Sequence, residues 1–258
     1  MSEVIYSPEF YDLISDWSES SAKQIIPVLF DFVKPNGVID VGCGDGTWLR
    51  CFLEAGVQRI YGLDGSYVSE DMLRIDSSNF QACDLENPPD IHEKFDLAIC
   101  LEVAEHLNET SSPGLISFLT QLSDFVLFSA AIPLQSGVNH INTHWQDYWA
   151  NLFQSQGYLP ILTLRSRIWI NSKIAFFYRQ NIILYVKDSV VQSSSTLTRE
   201  FEKSNNIPVT IVHPEGYLFL AKEFNHRQKK NERKLVDLIF DRFKRRVKYL
   251  FSSMKNAK

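Results

Sequence analysis

Apolar residues recur at helical spacing near the start of the chain: Phe10, Leu13, Ile14 and Trp17, then Ala22, Ile25, Ile26, Leu29, Phe30 and Val33 beyond a serine-rich break. The spacing predicts two helices ahead of the first strand. The period then changes. Val38 to Val41 is a short apolar run that predicts a buried strand, and Trp48, Leu49, Phe52 and Leu53 predict a helix behind it. Strand-like runs follow at Gln58 to Leu63, near Phe80 to Cys83, at Phe95 to Leu101 and at Phe125 to Ala130, which Pro133 ends. Leu115, Ile116, Phe118, Leu119 and Leu122 predict one intervening helix. His144 to Gln156, stopped by Gly157, predicts another. Tyr158 to Leu164 and Asn181 to Val186 read as two final strands. Alternation of this kind marks an α/β protein with a doubly wound sheet.

Beyond Val186 the periodicity weakens. Ser189 to Thr198 reads as a Ser/Thr-rich linker, and Ile207 to Leu220 as material for a short hairpin. Lys234 to Phe251 predicts a basic amphipathic helix with Val236, Ile239, Phe240, Phe243, Val247, Leu250 and Phe251 on one face. The expected organisation is therefore a helical segment over 1–34, a central domain over 35–187 and an extension over 188–258.

Composition narrows the class. At 258 residues and 45% hydrophobic content the chain can bury a substantial core. The net charge of −5 is unevenly spread, since Lys222 to Lys258 hold 13 Lys/Arg against 4 Asp/Glu, leaving 13 against 27 in residues 1–221. A body of −14 carries a tail of +9, and an acidic body argues against a nucleic-acid groove on the main domain. The apolar stripe of the tail suits either docking on protein or shallow contact with an anionic membrane surface. Cys43, Cys51, Cys83 and Cys100 lack C-x-x-C spacing and read as reduced residues of a cytoplasmic protein. The first twenty residues hold five acids and no Lys or Arg, unlike a secretory leader.

The first strand runs into Gly42-Cys43-Gly44-Asp45-Gly46, a loop whose backbone must pass close to something. A dinucleotide fingerprint requires a third glycine where Thr47 stands. The spacing is instead D-x-G-x-G-x-G from Asp40, which resembles motif I of class I S-adenosylmethionine (SAM)-dependent methyltransferases. The predicted strands then match that family's Rossmann-like, seven-stranded sheet, and the resemblance covers residues 37 to about 187. It implies SAM as cofactor, held by Asp40, Gly42, Gly44 and Gly46. It also implies an N-terminal helical lid, in which Tyr6 and Tyr11 either cover the cofactor or simply pack. Asp64, at the end of the second strand, is placed for the ribose, because a carboxylate accepts both hydroxyl hydrogens. Asp84-Leu85 correspond to the family's adenine contacts, and Asp84 could equally open a turn.

The acceptor side is marked by Glu102-Val103-Ala104-Glu105-His106 after the fourth strand and by His140 after the fifth. A helix starting at Glu102 would put Glu102, Glu105 and His106 on one face, with Glu102 also beside the cofactor. E-x-x-E-H resembles the magnesium-holding pattern of small-RNA 2′-O-methyltransferases and occurs in O-methyltransferases of ubiquinone synthesis. Three readings stay open: a metal-free base at His140 or His106 steadied by a glutamate, a divalent metal site, or solvated residues with neither role. The stretch from Asn139 to Trp149, with R-S-R-I-W and F-Y-R-Q-N, is similar to bacterial methyltransferases of glycan assembly. Arg165, Arg167 and Arg179 among aromatics then suit a sugar or anionic acceptor, or else form a solvated cover. The expected activity is O-methylation of a sugar or other small hydroxylated acceptor. The alternatives are methylation of a phenolic or quinone-type molecule or an RNA 2′-hydroxyl with a metal, and a SAM-binding scaffold without catalysis.

Overall fold

β1 (Gly37–Val41) is buried along its whole length, and it lies at the centre of a seven-stranded sheet. Its neighbours are β2 (Arg59–Asp64) and β4 (Leu97–Leu101), with β3 (Phe80–Ala82) at one edge and β5 (Phe125–Ser129), β7 (Ile183–Lys187) and β6 (Tyr158–Ile161) on the other side. The order is β3-β2-β1-β4-β5-β7-β6. All pairings are parallel except those of β7, which runs antiparallel to both β5 and β6. The computed structural model describes residues 8–222 and 224–226, with side chains from Trp17 onward. Tyr6, the Tyr11 side chain and Lys234 to Phe251 lie outside the described residues. Among those described, the chain divides between His213 and Pro214 into two compact units. The second contributes a helix over 214–222.

Successive strand residues feed opposite cores, as a pleat requires. Leu97, Ile99 and Leu101 face one core, together with Ile25, Ile26 and Leu29 of α1 (Pro8–Leu29) and Leu49 and Phe52 of α2 (Thr47–Glu54). Ala98 and Cys100 face the other, with Leu115 and Leu119 of α3 (Ser112–Leu122) and Trp149 and Phe153 of α4 (Gln146–Ser155). The doubly wound, Rossmann-like sheet is as the sequence predicts.

The departures all involve polar residues. The two predicted N-terminal helices are one, because the serines of the supposed break are accommodated within it: Ser21 Oγ donates to the Trp17 carbonyl (2.6 Å) and Ser18 Oγ meets the Tyr178 hydroxyl (3.3 Å). The supposed linker is two helices, α7 (Asp188–Ser193) and α8 (Ser195–Ser204). Ser194 Oγ accepts from Leu197 N–H (3.4 Å) as a cap, and Val191 and Leu197 are buried. No hairpin forms over 207–220. Residues 207–213 run as an irregular strap, fixed by Gln146 Nε2 on the Ile211 carbonyl (2.9 Å) and Arg165 Nη1 on that of Val209 (2.9 Å), and helix begins at 214.

Candidate active site

The cofactor half of the site is built from the carboxyl ends of β1 and β2. Gly42, Gly44 and Gly46 all have positive φ (90°, 54° and 79°), which glycine adopts without strain. A Cβ at Gly42 would stand 2.3 Å from Val103 Cγ2, so the loop is tight as well as turned. Gly42 and Cys43 N–H both donate to the Leu63 carbonyl (2.7 and 3.1 Å), tying the loop to the end of β2. Gly44 N–H donates to Asp64 Oδ2 and Gly65 N–H to Oδ1, each at 2.6 Å, and the Tyr67 hydroxyl also donates to Oδ1. Asp40, Asp45 and Asp64 are buried together. Burial, with Asp64 and Asp45 nearby, pushes the Asp40 carboxyl well above the usual range. Burial also raises that of Asp64, against its three donors.

Asp40 and Asp64, buried beside a tightly turned glycine backbone, make a cradle for a ligand carrying cationic charge and hydroxyls, and SAM has both. The sequence-predicted residues Asp40, Gly42, Gly44, Gly46 and Asp64 are therefore brought together. Asp84 lies just beyond β3 and takes the turn option: Glu86 N–H donates to its Oδ1 and Asn87 Nδ2 to its Oδ2, both at 2.9 Å. Asp84 is exposed and these donors lower its carboxyl, while Leu85 turns into the core. Tyr67 was not apparent from the sequence. Its hydroxyl donates to Oδ1 of Asp64, the carboxyl expected to face the ribose.

The acceptor half differs from the expected helix face. Glu102 adopts φ 56°, and only Ala104–His106 form a short 3-10 turn. Glu102 and Glu105 consequently diverge in their hydrogen bonding. Glu102 accepts from Gln135 Nε2 (2.8 Å) and Asn181 Nδ2 (3.0 Å). Glu105 is fully buried, and its carboxyl lies against that of Glu102 and the Ala131 backbone. Burial and the neighbouring Glu102 push it well above the ordinary glutamate range. His106 and His140 meet edge to face at 5.0 Å. Burial, then His140, brings His106 down to about 4, and burial also lowers His140. Both rings are therefore neutral at pH 7. His140 Nδ1 is 3.1 Å from the Gln135 carbonyl, an acceptor only, so Nδ1 carries the hydrogen and Nε2 has the lone pair. One ligand atom each from Glu105, His106 and His140 can come within 4.8 Å of the others.

The loop bearing His140 is pinned to the loop after β4. Ile141 and Asn142 N–H donate to the Glu105 carbonyl (2.9 and 3.1 Å), and buried Asn142 Nδ2 reaches the Ala104 carbonyl and Ser112 Oγ, both at 3.0 Å. Two of the three arginines are built into the fold, and Arg167 is exposed in ion pairs. Arg165, in α5 (Thr163–Ile168), and Arg179, in α6 (Phe176–Asn181), are buried and bind backbone carbonyls, while Arg167 pairs with Asp31 and Glu200 (both 3.0 Å). Gln135 went unnoticed in the sequence, and Gln180 and Asn181 entered only as the end of F-Y-R-Q-N, with no role of their own. The only sign was a polar pair directly before an apolar strand.

With the glycine cradle at the β1 edge and an acid-and-histidine cluster beside it, the fold and site define a SAM-dependent methyltransferase domain. Residues 16–170 match the methyltransferase-domain family, and the chain belongs to that family. No curated protein matches it in sequence. Among solved structures, it is similar to an O-methyltransferase family protein from Burkholderia thailandensis (13% identity, TM-score 0.52, covering 70% of this chain and 57% of that one). DesVI of Streptomyces venezuelae is 14% identical with TM-score 0.51, over 69% of this chain and 97% of the other. The methyltransferase domain of bacterial CtHen1-C is 17% identical with TM-score 0.50, over 66% and 98%. The chain thus spans less than two thirds of the Burkholderia protein, and at these identities the likeness is one of fold.

Proposed function

We propose that this protein is an active SAM-dependent O-methyltransferase whose acceptor is a small hydroxylated molecule. The observation that carries the reading is His140, a neutral imidazole whose Nδ1 is bonded to a carbonyl and whose Nε2 carries the lone pair, clustered with His106 and Glu105. Bound SAM supplies an electrophilic methyl group on a sulfonium. The chain supplies Asp64 for ribose hydroxyls, the Gly42 to Gly46 backbone for the amino-acid end, and His140 Nε2 to take the acceptor proton. A sugar or glycan acceptor remains within the proposal, although two of the three arginines that suggested one are built into the fold. Its support is the hydroxyl chemistry of the base. His140→Ala should abolish SAM turnover on a panel of hydroxylated acceptors while leaving SAM affinity nearly intact. Unchanged turnover in both His140→Ala and His106→Ala would defeat the reading, and SAM binding without turnover on any acceptor would favour a scaffold.

A second reading has its own support. The buried Glu105 carboxyl together with His106 and His140 offers one oxygen and two nitrogens, which suits manganese, iron or zinc better than magnesium. Phenolic, quinone-type or RNA 2′-hydroxyl acceptors belong to this alternative. Activity lost in EDTA and restored by manganese would replace the metal-free base with a metal site.

A further inference from the structure

Two non-glycine residues of the loop after β5, Leu134 and Asn139, adopt left-handed conformations (φ 69° and 56°). Each costs about 1 to 2 kcal/mol, so such a loop persists only where surrounding contacts over-determine it. Its far end is held by Asn142 and by the two N–H groups donated to the Glu105 carbonyl. Its near end is held by one residue. Gln135 N–H donates to the Ile132 carbonyl (3.0 Å), and its side-chain amide uses both ends. Nε2 donates to Glu102 Oε2 (2.8 Å), and Oε1 accepts from Asn181 Nδ2 (3.0 Å) and Gln180 Nε2 (3.2 Å). This orientation follows from the partners, since a carboxylate only accepts and requires the NH₂ end. Asn181 Nδ2 also reaches Glu102 Oε1 (3.0 Å), closing a triangle of Glu102, Gln135 and Asn181. The backbone carbonyl of the same Gln135 faces His140 Nδ1.

We infer that Gln135 is the positioning residue of this site: its side chain, locked between Glu102 and Asn181, fixes the carbonyl that sets the tautomer and orientation of His140. The role deepens the proposed function and rests on it for its effect on turnover, but the tautomer itself can be read without any acceptor. A His ring whose second nitrogen is held by a fixed acceptor has one tautomer and one orientation, and losing such a partner typically costs about 10- to 100-fold in function. The amide joins three chain regions, the loops after β4 and β5 and the end of α6, beside the direct bond from Asn181 to Glu102.

The test is nitrogen-15 NMR of the histidine side chains in the full chain with S-adenosylhomocysteine, comparing wild type with Gln135→Met, which keeps length but has no amide. Wild type should show His140 as the single Nδ1–H tautomer. The variant should show a mixture, with S-adenosylhomocysteine affinity unchanged within about threefold, and once an acceptor is known, kcat reduced about tenfold or more with KM little altered. Asn181→Ser, which removes one side of the clamp, should shift the tautomer ratio in the same direction and gives the reading if Gln135→Met does not fold. An unchanged His140 pattern in a folded variant overturns the inference. An altered pattern in a protein that methylates nothing leaves it standing and removes the proposed function instead.

Discussion

Gly137 lacks a side chain where His140 has its ring: a Cβ there would lie 2.0 Å from Nε2. The end of the imidazole thus packs directly against the Gly137 backbone. Gly137→Ala should displace the imidazole or block Nε2, lowering turnover by about a hundredfold, as misplacement by an ångström does, with SAM affinity by calorimetry unaltered. On the cofactor side, Asp64→Ala removes an acceptor of charged hydrogen bonds worth roughly 1.5 to 3 kcal/mol, so SAM should bind about tenfold or more weakly. Tyr67 works in the opposite sense. Its hydroxyl competes for Asp64 Oδ1, and Tyr67→Phe should tighten SAM binding by a few-fold, up to the roughly tenfold that one such bond represents. Weaker binding would make Tyr67 a cofactor contact rather than a competitor.

At the scale of elements, apolar periodicity made the sheet legible and polar residues hid the rest. The runs Val38 to Val41 and Phe125 to Ala130 can only be satisfied by burial, so they appear in the sequence as strands. Ser18, Ser21 and Ser194 are ambiguous on their own, because the same hydroxyl breaks a helix, sits within it or caps it according to its partner. Asp40, Asp64 and the three glycines were readable because one short segment specifies their geometry. Gln135 and Asn181 were not, since they are 46 residues apart and have meaning only once β7 is in place. Glu200 of α8 shows how such elements are held. Burial alone would raise its carboxyl, but Lys203, Thr163 and Arg167 overcome this and hold it near 2, against an ordinary 4.5. Between those values the unfolded chain takes up a proton that the folded chain refuses. The stabilisation is therefore complete above pH 4.5 and lost as pH falls toward 2. Glu200→Gln should lower Tm at pH 7 and flatten the fall of Tm between pH 4.5 and 2.

For the molecule as a whole, charge is the feature that the sheet does not explain. Among the described residues no helix is long and apolar enough to cross a membrane. We propose that the +9 tail nevertheless makes peripheral contact with anionic lipid, each basic residue near the surface contributing about 1 kcal/mol. The full chain should float with anionic liposomes at low salt and a chain truncated after Lys222 should not. Equal flotation of both would remove the idea. The triangle at Glu102 has another implication, for the order in which competence is acquired. The glycine cradle and Asp64 come from 28 consecutive residues, 37–64, on two adjacent strands. The acceptor half cannot be assembled until Asn181, 79 residues beyond Glu102, has been laid beside it. During synthesis, the residues of the cofactor half are therefore all in place in the chain well before the last member of the acceptor half is made.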